Sequence, residues 1–243
     1  MKYRIMLPAD YTMTARRYPV LYLLHGLTGS YLDWETRTHL VDYVQPLPLI
    51  VVMPDAGDSW YTNSAGAPQD KFEDYIVKDL IAEVDKNYRT LADRHGRAIA
   101  GLSMGGYGAL KFALKYPALF FFAGSLSGAE APVHDPTHNV PFGQKYIDGM
   151  RTIFGNGATP TLADNDIFAL VTKADGARVP YLYVACGTED GLLQSNRDFV
   201  TLVQKQKIRY EYRESRGAHS WEYWDRELPG LLQAMEREMH GAR

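Results

Sequence analysis

The chain has 243 residues, a net charge of −3 and 46% hydrophobic residues, values typical of a globular protein. It lacks the positive charge of nucleic-acid-binding proteins, and no apolar run approaches the roughly 18 residues of a membrane span. We therefore predict neither a nucleic-acid nor a membrane partner. The single cysteine, Cys186, excludes an internal disulfide and suits a reducing compartment.

The N-terminal sequence MKYRIMLPADY has no long apolar core and no small-residue cleavage site of a secretory signal, so we predict a cytoplasmic location. The chain also begins almost inside a predicted strand at 3–7. Two explanations stay open: the native chain starts further upstream, or a signal has been removed.

Short apolar stretches rich in branched and aromatic residues alternate with helical patterns. Stretches of this kind are typical of parallel strands buried on both faces. The predicted strands are 3–7, 18–24, 49–53, 97–102, 120–126, 180–185 and 207–213, of which the first and last are more polar. The predicted helices are 72–88, 104–115, 193–206 and 222–239. This alternation predicts a mostly parallel sheet flanked by helices, in a single domain spanning 1–243.

Residues 129–178 interrupt the alternation, with scattered Pro, Gly, Asn and Asp and weak helical patterns near 144–153 and 164–173. The segment is too long for a simple crossover, and long insertions in compact domains often act as lids or binding loops. We predict a lid-like insertion here. A surface decoration is the alternative.

Residues 101–105 read Gly-Leu-Ser-Met-Gly, a G-x-S-x-G motif between a predicted strand and a predicted helix. This context is typical of a nucleophile elbow, in which a strained turn presents the serine at the end of the sheet. A serine that merely caps the helix is the alternative. The glycine spacing does not fit a dinucleotide-binding loop. We therefore predict Ser103 as a nucleophile.

A serine hydroxyl needs a neighbouring base with a fixed tautomer, and behind a nucleophile elbow the chain order is serine, acid, histidine. His219 follows the last predicted strand and precedes the last predicted helix, so we predict it as the base. The acid is expected in the loop after strand 180–185. Glu189 and Asp190 both qualify there, and we favour Asp190.

The other histidines after Ser103 are weaker candidates. His240 lies near the C-terminus, and His134 and His138 lie in the irregular insertion. The spacing of His134 and His138 could hold a metal on a helix, but Pro136 between them argues against a helix. We predict neither a metal nor a cofactor.

Acyl transfer develops negative charge on the carbonyl oxygen, and fixed backbone N–H groups are suitable donors to it. One predicted donor is the amide of Met104, which follows the nucleophile. The second is the amide of Leu27, in the glycine-containing loop after strand 18–24, where an ordinary turn is the alternative. His25 precedes the nucleophile in the chain, and we predict that it braces this loop.

Five sequence blocks occur in this order across residues 25–224: HGLTGSYLDW, MPDAGDSWYTNS, GLSMGGYGAL, CGTEDGLL and GAHSWEYW. Together they resemble the esterase family of α/β-hydrolases that includes tributyrin esterases, feruloyl and acetylxylan esterases, S-formylglutathione hydrolases and mycobacterial mycolyltransferases. The resemblance implies the α/β-hydrolase fold, a triad of Ser103, Asp190 and His219, and an oxyanion hole formed by the amides of Leu27 and Met104.

Within that family the sequence is most similar to small-acyl carboxylesterases. Formylglutathione hydrolases usually carry a cysteine just after the glycine loop, whereas here Thr28 is followed by Gly29. Trp60 and Tyr61 resemble residues that line the substrate cleft in relatives, with packing under the lid as the alternative. Trp221, two residues after His219, is predicted to pack beside the imidazole and to contact substrate.

The resemblance implies hydrolysis of short-chain acyl or aryl esters, including feruloyl or acetyl esters of carbohydrates, through an acyl-enzyme on Ser103. Three alternatives stay open: a thioester hydrolase of the S-formylglutathione type, an acyltransferase, and a non-catalytic binding protein with the same fold. The expected partner is a small-molecule ester, and the oligomeric state is left open.

Overall fold

A seven-stranded sheet lies at the centre of the computed structural model, which describes residues 1–130, 133 and 143–241. The strands are β1 (Tyr3–Met6), β2 (Val20–Leu24), β3 (Ile50–Pro54), β4 (Arg97–Leu102), β5 (Phe122–Leu126), β6 (Tyr181–Gly187) and β7 (Tyr210–Ser215). Their spatial order is β1-β3-β2-β4-β5-β6-β7. β1 pairs with β3 in the antiparallel sense, and the remaining neighbours in this sheet are parallel.

Helices connect the strands and cover both faces of the sheet. They are α1 (Asp33–Arg37), α2 (Leu40–Val44), α3 (Phe72–Asp74), α4 (Ile81–Asn87), α5 (Met104–Lys115), α6 (Gly143–Phe154), α7 (Pro160–Ala163), α8 (Ile167–Lys173), α9 (Leu193–Lys205) and α10 (Trp221–Gly241). A π-helical turn (Tyr75–Leu80) joins α3 to α4, so the predicted helix 72–88 is continuous but changes its hydrogen-bonding pattern midway. In the described part of the chain, no helix has both the length and the apolarity needed to cross a membrane.

The central strands are buried on both faces, as their mostly apolar sequences predict. Every residue of β2, β3, β4 and β5 is buried. Alternate residues enter different cores: Val20, Tyr22 and Leu24 belong to one apolar cluster, and Leu21 and Leu23 to the other. The first cluster lies under α5 and the second under α10, which confirms the predicted α/β-hydrolase architecture.

The insertion predicted at 129–178 is described in part. Residues 131–132 and 134–142, which include His134 and His138, lie outside the described residues. α8 packs against α5 and α9. α6 is joined to the loop at 64–66, where the amides of Ala65 and Gly66 donate to carbonyl oxygens near the end of α6 at 2.9 and 2.8 Å. The lid role of this segment stays a prediction.

Candidate active site

Ser103 lies at the carboxyl end of β4, in the sharp turn that leads into α5. Its φ of 53° and ψ of −120° are strained for a residue with a side chain, and it makes no side-chain capping bond to the helix. The flanking glycines are required by close packing. A Cβ on Gly101 would lie 2.5 Å from the Gly105 backbone, and one on Gly105 would lie 2.5 Å from the Leu24 carbonyl oxygen. The turn has the geometry of a nucleophile elbow.

Loops after β6 and β7 bring Asp190 and His219 to this turn. The His219 Nε2 atom lies 3.0 Å from the Ser103 Oγ atom, and the His219 Nδ1 atom lies 2.9 Å from the Asp190 Oδ2 atom. An ionised carboxylate only accepts hydrogen bonds, so Nδ1 carries the hydrogen and Nε2 has a free lone pair facing the hydroxyl. The three side chains are thus ordered for proton transfer from serine to histidine.

The environment of Asp190 favours its charged form. Burial raises the pKa of the Asp190 carboxyl, but the hydrogen bond and charge of His219 outweigh this, so the pKa is lower than usual. The Leu192 amide also donates to Asp190 at 2.9 Å. Glu189, the alternative acid, is half exposed and lies 3.5 Å from Arg216. The structure therefore pairs His219 with Asp190 and directs Glu189 away from it.

The two amides predicted to form an oxyanion hole both lie beside the nucleophile. Met104 is the first residue of α5, and a Cβ on Gly26, the neighbour of Leu27, would lie 3.4 Å from the Ser103 Cβ atom. Within the described residues, the N–H groups of Leu27 and Met104 donate to no protein acceptor. Two unpaired amides next to a serine hydroxyl can bind a developing oxyanion.

The loop that carries Leu27 is fixed by buried hydrogen bonds. The His25 Nε2 atom accepts from the Ala56 amide at 3.0 Å, so the hydrogen is on Nδ1, which donates to the Gly26 carbonyl oxygen at 2.7 Å. Thr28 has a φ of 60°, and its amide donates to Asp58 at 2.6 Å. The predicted bracing role of His25 matches this geometry.

The three residues predicted to contact substrate make these contacts within the protein, and their contact with substrate stays a prediction. Tyr61 is completely buried, and its hydroxyl donates to the His25 carbonyl oxygen at 2.8 Å, so it supports the loop from inside the core. Trp60 is 3% exposed and packs edge-on against Phe154 of α6, which fits the alternative of packing under the insertion. Trp221 packs edge-on against Trp34.

The aromatic side chain beside the imidazole is Trp224, not Trp221. Its ring centroid lies 4.9 Å from that of His219, at an interplanar angle of 90°. The sequence held a signal for this contact, because residues three apart on a helix share a face and the helix begins at Trp221. Lys111 was not predicted as a functional residue either. Its spacing from Tyr107 nevertheless places it on the buried face of α5.

No three histidine, cysteine, aspartate or glutamate side chains of the described residues converge as metal ligands.

Comparison with known proteins gives matches over most of the chain. The family model described as Putative esterase matches residues 1–235. An acetyl esterase of Caldicellulosiruptor saccharolyticus is 31% identical over 224 residues, covering 89% of this chain and 83% of that protein. An esterase of Mycobacterium tuberculosis is 33% identical over 239 residues. That match covers 88% of this chain but 51% of the relative, so the chain spans about half the length of that protein.

Among solved structures, the fluorophosphonate-binding serine hydrolase F of Staphylococcus aureus is similar with a TM-score of 0.84 and 28% sequence identity. The similarity covers 98% of this chain and 91% of that one. The strand order, the serine turn and the family match thus point to the same group of proteins.

Proposed function

The chain belongs to the Putative esterase family and is similar to hydrolases acting on ester bonds, and from this premise we propose that it is a serine carboxylesterase. The observation that carries the proposal is the chain of two hydrogen bonds from Ser103 to His219 and from His219 to Asp190, at 3.0 and 2.9 Å.

The proposed reaction has two acyl-transfer steps. The Ser103 Oγ atom attacks the ester carbonyl carbon while the Nε2 atom of His219 takes the hydroxyl proton. The amides of Leu27 and Met104 donate to the oxyanion. The tetrahedral intermediate then collapses, His219 returns the proton to the leaving oxygen, and the alcohol departs. Water attacks the acyl-enzyme by the same route and releases the carboxylic acid.

Asp190 has a separate role in this scheme. It holds the imidazole in the tautomer that can accept the serine proton, and its negative charge stabilises the imidazolium that follows. The lowered pKa of Asp190 keeps it ionised at the pH where the histidine acts as a base.

We propose short-chain acyl or aryl esters as substrates, with acetyl or feruloyl esters of carbohydrates included. The similarity to an acetyl esterase supports a small acyl group. A panel of acetyl, butyryl, octanoyl and feruloyl esters with S-formylglutathione tests this directly. The highest kcat/KM is expected for a short acyl ester. Preference for octanoyl would contradict the small acyl group, and preference for the formyl thioester would contradict the carboxylesterase assignment.

The nucleophile is tested by Ser103→Ala. This variant should lose p-nitrophenyl acetate hydrolysis and labelling by a fluorophosphonate probe, while Ser195→Ala, a change on α9, should keep both. Mass spectrometry of the wild type quenched during turnover should find an acetyl group on the peptide that contains Ser103. A folded Ser103→Ala variant with wild-type turnover would refute the proposed mechanism.

A further inference from the structure

A lysine is completely buried beneath the candidate active site. The Lys111 Nζ atom, on α5, donates to the Tyr61 carbonyl oxygen at 2.6 Å and to the Thr62 hydroxyl at 2.9 Å, and it lies 3.2 Å from the Glu73 carboxylate. Burial lowers the pKa of Lys111 to about 7, while Glu73 acts in the opposite direction. A buried ammonium persists only where several acceptors surround it, and here two of them belong to one loop.

That loop has an unusual backbone. Trp60 and Tyr61 are consecutive residues with side chains, yet both have a φ of 52°. Conformations of this kind persist only where the surrounding structure holds them in place. The bonds from Lys111 to Tyr61 and Thr62 lie directly at this strained pair. Lys111 therefore restrains the position of the Tyr61 backbone and, through it, of the Tyr61 side chain.

The Tyr61 side chain extends the network to the loop that carries Leu27. Its hydroxyl donates to the His25 carbonyl oxygen at 2.8 Å, and the His25 ring donates to the Gly26 carbonyl oxygen at 2.7 Å. The Gly26 carbonyl and the Leu27 N–H belong to one planar peptide unit. A hydrogen bond that sets the direction of the Gly26 carbonyl therefore also sets the direction of the Leu27 amide.

We propose that Tyr61 and Lys111 are positioning residues that aim the Leu27 amide at the oxyanion. The order of contacts is Lys111 to Tyr61, Tyr61 to His25, and His25 to the peptide unit of Leu27. Neither residue touches the reacting atoms. This inference rests on the proposed esterase mechanism, since it assigns the Leu27 amide a role only in the transition state.

A matched pair of substitutions tests the proposal. Tyr61 and Tyr107 are both completely buried, and each donates its hydroxyl to a backbone carbonyl: Tyr61 to His25 at 2.8 Å and Tyr107 to Asn165 at 2.7 Å. Tyr61→Phe removes the hydrogen bond to His25 and Tyr107→Phe removes the one to Asn165, and in both variants the ring stays in place. Both variants should lose a similar amount of thermal stability, because the two lost bonds are alike.

The two variants should differ in activity. Loss of an oxyanion donor lowers turnover by about 10²–10³-fold, so a misaimed donor should cost about 10-fold. We expect Tyr61→Phe to lower kcat by about this factor with KM nearly unchanged, because an oxyanion contact acts in the transition state. Tyr107→Phe should keep its kcat within about twofold of wild type, because it should leave the oxyanion donors correctly aimed. Equal kcat values in the two variants would overturn the proposal.

A second readout is insensitive to a general loss of stability. A trifluoromethyl ketone adds to a reactive serine and forms an oxyanion in place of the transition state. Its inhibition constant should rise in Tyr61→Phe by the same factor as kcat/KM falls, and should not change in Tyr107→Phe. An unchanged inhibition constant in Tyr61→Phe would overturn the positioning role. Failure of the esterase mechanism would appear separately, as activity that survives Ser103→Ala.

Lys111→Met tests the start of the network. Methionine has a similar length but neither charge nor donor, so the Tyr61 carbonyl would lose its partner. We expect a kcat defect like that of Tyr61→Phe, and no further loss when both substitutions are combined, since both act through one route. Should Lys111→Met fail to fold, the comparison of Tyr61→Phe with Tyr107→Phe decides the proposal without it. A folded Lys111→Met with normal kcat would remove Lys111 from it.

Discussion

The loop after β2 contacts Tyr61 and the helix α6 of the insertion contacts the neighbouring Trp60, but the loop and the helix are held in different ways. The loop is fixed from within the core, where His25 and Tyr61 are 1% and 0% exposed and each makes hydrogen bonds to backbone atoms. α6 packs on the rest of the protein along one side, where its buried residues Met150 and Phe154 lie.

This difference distinguishes residues that align the reacting groups from residues that tolerate substitution. An amide that must meet an oxyanion to within a few tenths of an ångström requires neighbours that cannot move, which buried backbone bonds provide. A helix attached by a few apolar side chains and by backbone bonds to 64–66 can change its sequence without moving β4 or β7. We therefore expect substitutions around the loop after β2 to affect the reaction rate. Substitutions in α6 should affect stability or substrate preference.

The largest contrast is expected between two aspartates. Asp190→Asn should lower kcat by about 10³–10⁴-fold, because an amide at this position favours the wrong tautomer of His219. Asp148→Asn, on an exposed part of α6, should leave kcat unchanged. Steady-state kinetics with p-nitrophenyl acetate measures both. Comparable rates for the two variants would contradict the assignment of Asp190.

The next contrast is in stability, between a glycine of α5 that packs against the start of the loop after β2 and a glycine of α6. A Cβ on Gly105 would lie 2.5 and 2.6 Å from the carbonyl oxygens of Leu24 and His25, which are backbone atoms and cannot yield. Gly105→Ala should therefore cost about 3 kcal/mol or more of unfolding free energy. A Cβ on Gly149 of α6 meets nothing within 4 Å, so Gly149→Ala should stabilise by about 0.5–1 kcal/mol.

Urea denaturation of the two alanine variants measures this difference. A Gly105→Ala variant as stable as wild type, or a Gly149→Ala variant less stable than Gly105→Ala, would contradict the expected difference in packing.

A smaller effect is expected where α6 meets the core. Phe154 is 2% exposed and packs against Trp60, with ring centroids 6.4 Å apart. Phe154→Ala should cost about 3 kcal/mol, the lower end of the range for a buried phenylalanine, because a helix attached by its edge can partly collapse into the cavity. The kcat for acetyl esters should change little, while the preference among acyl chain lengths should shift. A loss of kcat as large as that of Asp190→Asn would show that α6 aligns the catalytic groups.

The smallest effect concerns the pair formed by His39 and Asp225. The His39 Nδ1 atom lies 2.7 Å from Asp225 of α10, and the hydrogen bond and charge of Asp225 raise the pKa of His39. A raised pKa in the folded state means that the stabilising contribution is fully present below the unfolded pKa and is lost as the pH rises. His39→Ala should therefore lower Tm more at pH 5.5 than at pH 9.

The control for this pair is Asp225→Asn. In that background His39→Ala should lower Tm equally at the two pH values, because the charge that raises the pKa is gone. A pH-dependent difference that persists in Asp225→Asn would assign the effect to another group.

Local sequence patterns were sufficient for most of the secondary structure and for the candidate triad, although the short helices α1 and α2 were not predicted. Strand 97–102 and helix 104–115 have the predicted bounds, because an apolar run followed by a glycine-flanked serine and an amphipathic stretch specifies a strand, a turn and a helix from neighbouring residues alone. Asp190 and His219 were predicted from their places after strands, since parallel strands end at the same edge of a sheet. The structure brings His219 to Ser103 and Asp190 to His219.

Contacts between side chains distant in the chain were not predictable in the same way. An aromatic residue at position 61 is of a type that can line a substrate cleft. Whether the Tyr61 ring faces solvent or the core depends on the left-handed backbone at 60–61 and on Lys111 beneath it. The choice between Trp221 and Trp224 beside the imidazole depends on the direction in which α10 leaves the His219 loop.

The residue pattern therefore specified which groups reach the active edge of the sheet, because the chain order of the strands, the serine, the acid and the histidine can be read from short apolar runs and glycine turns. The tertiary structure alone decided which buried side chains hold those groups in place. That choice depends on packing and hydrogen-bond partners contributed by segments as far apart as His25, Tyr61 and Lys111, whose mutual distances no local pattern encodes.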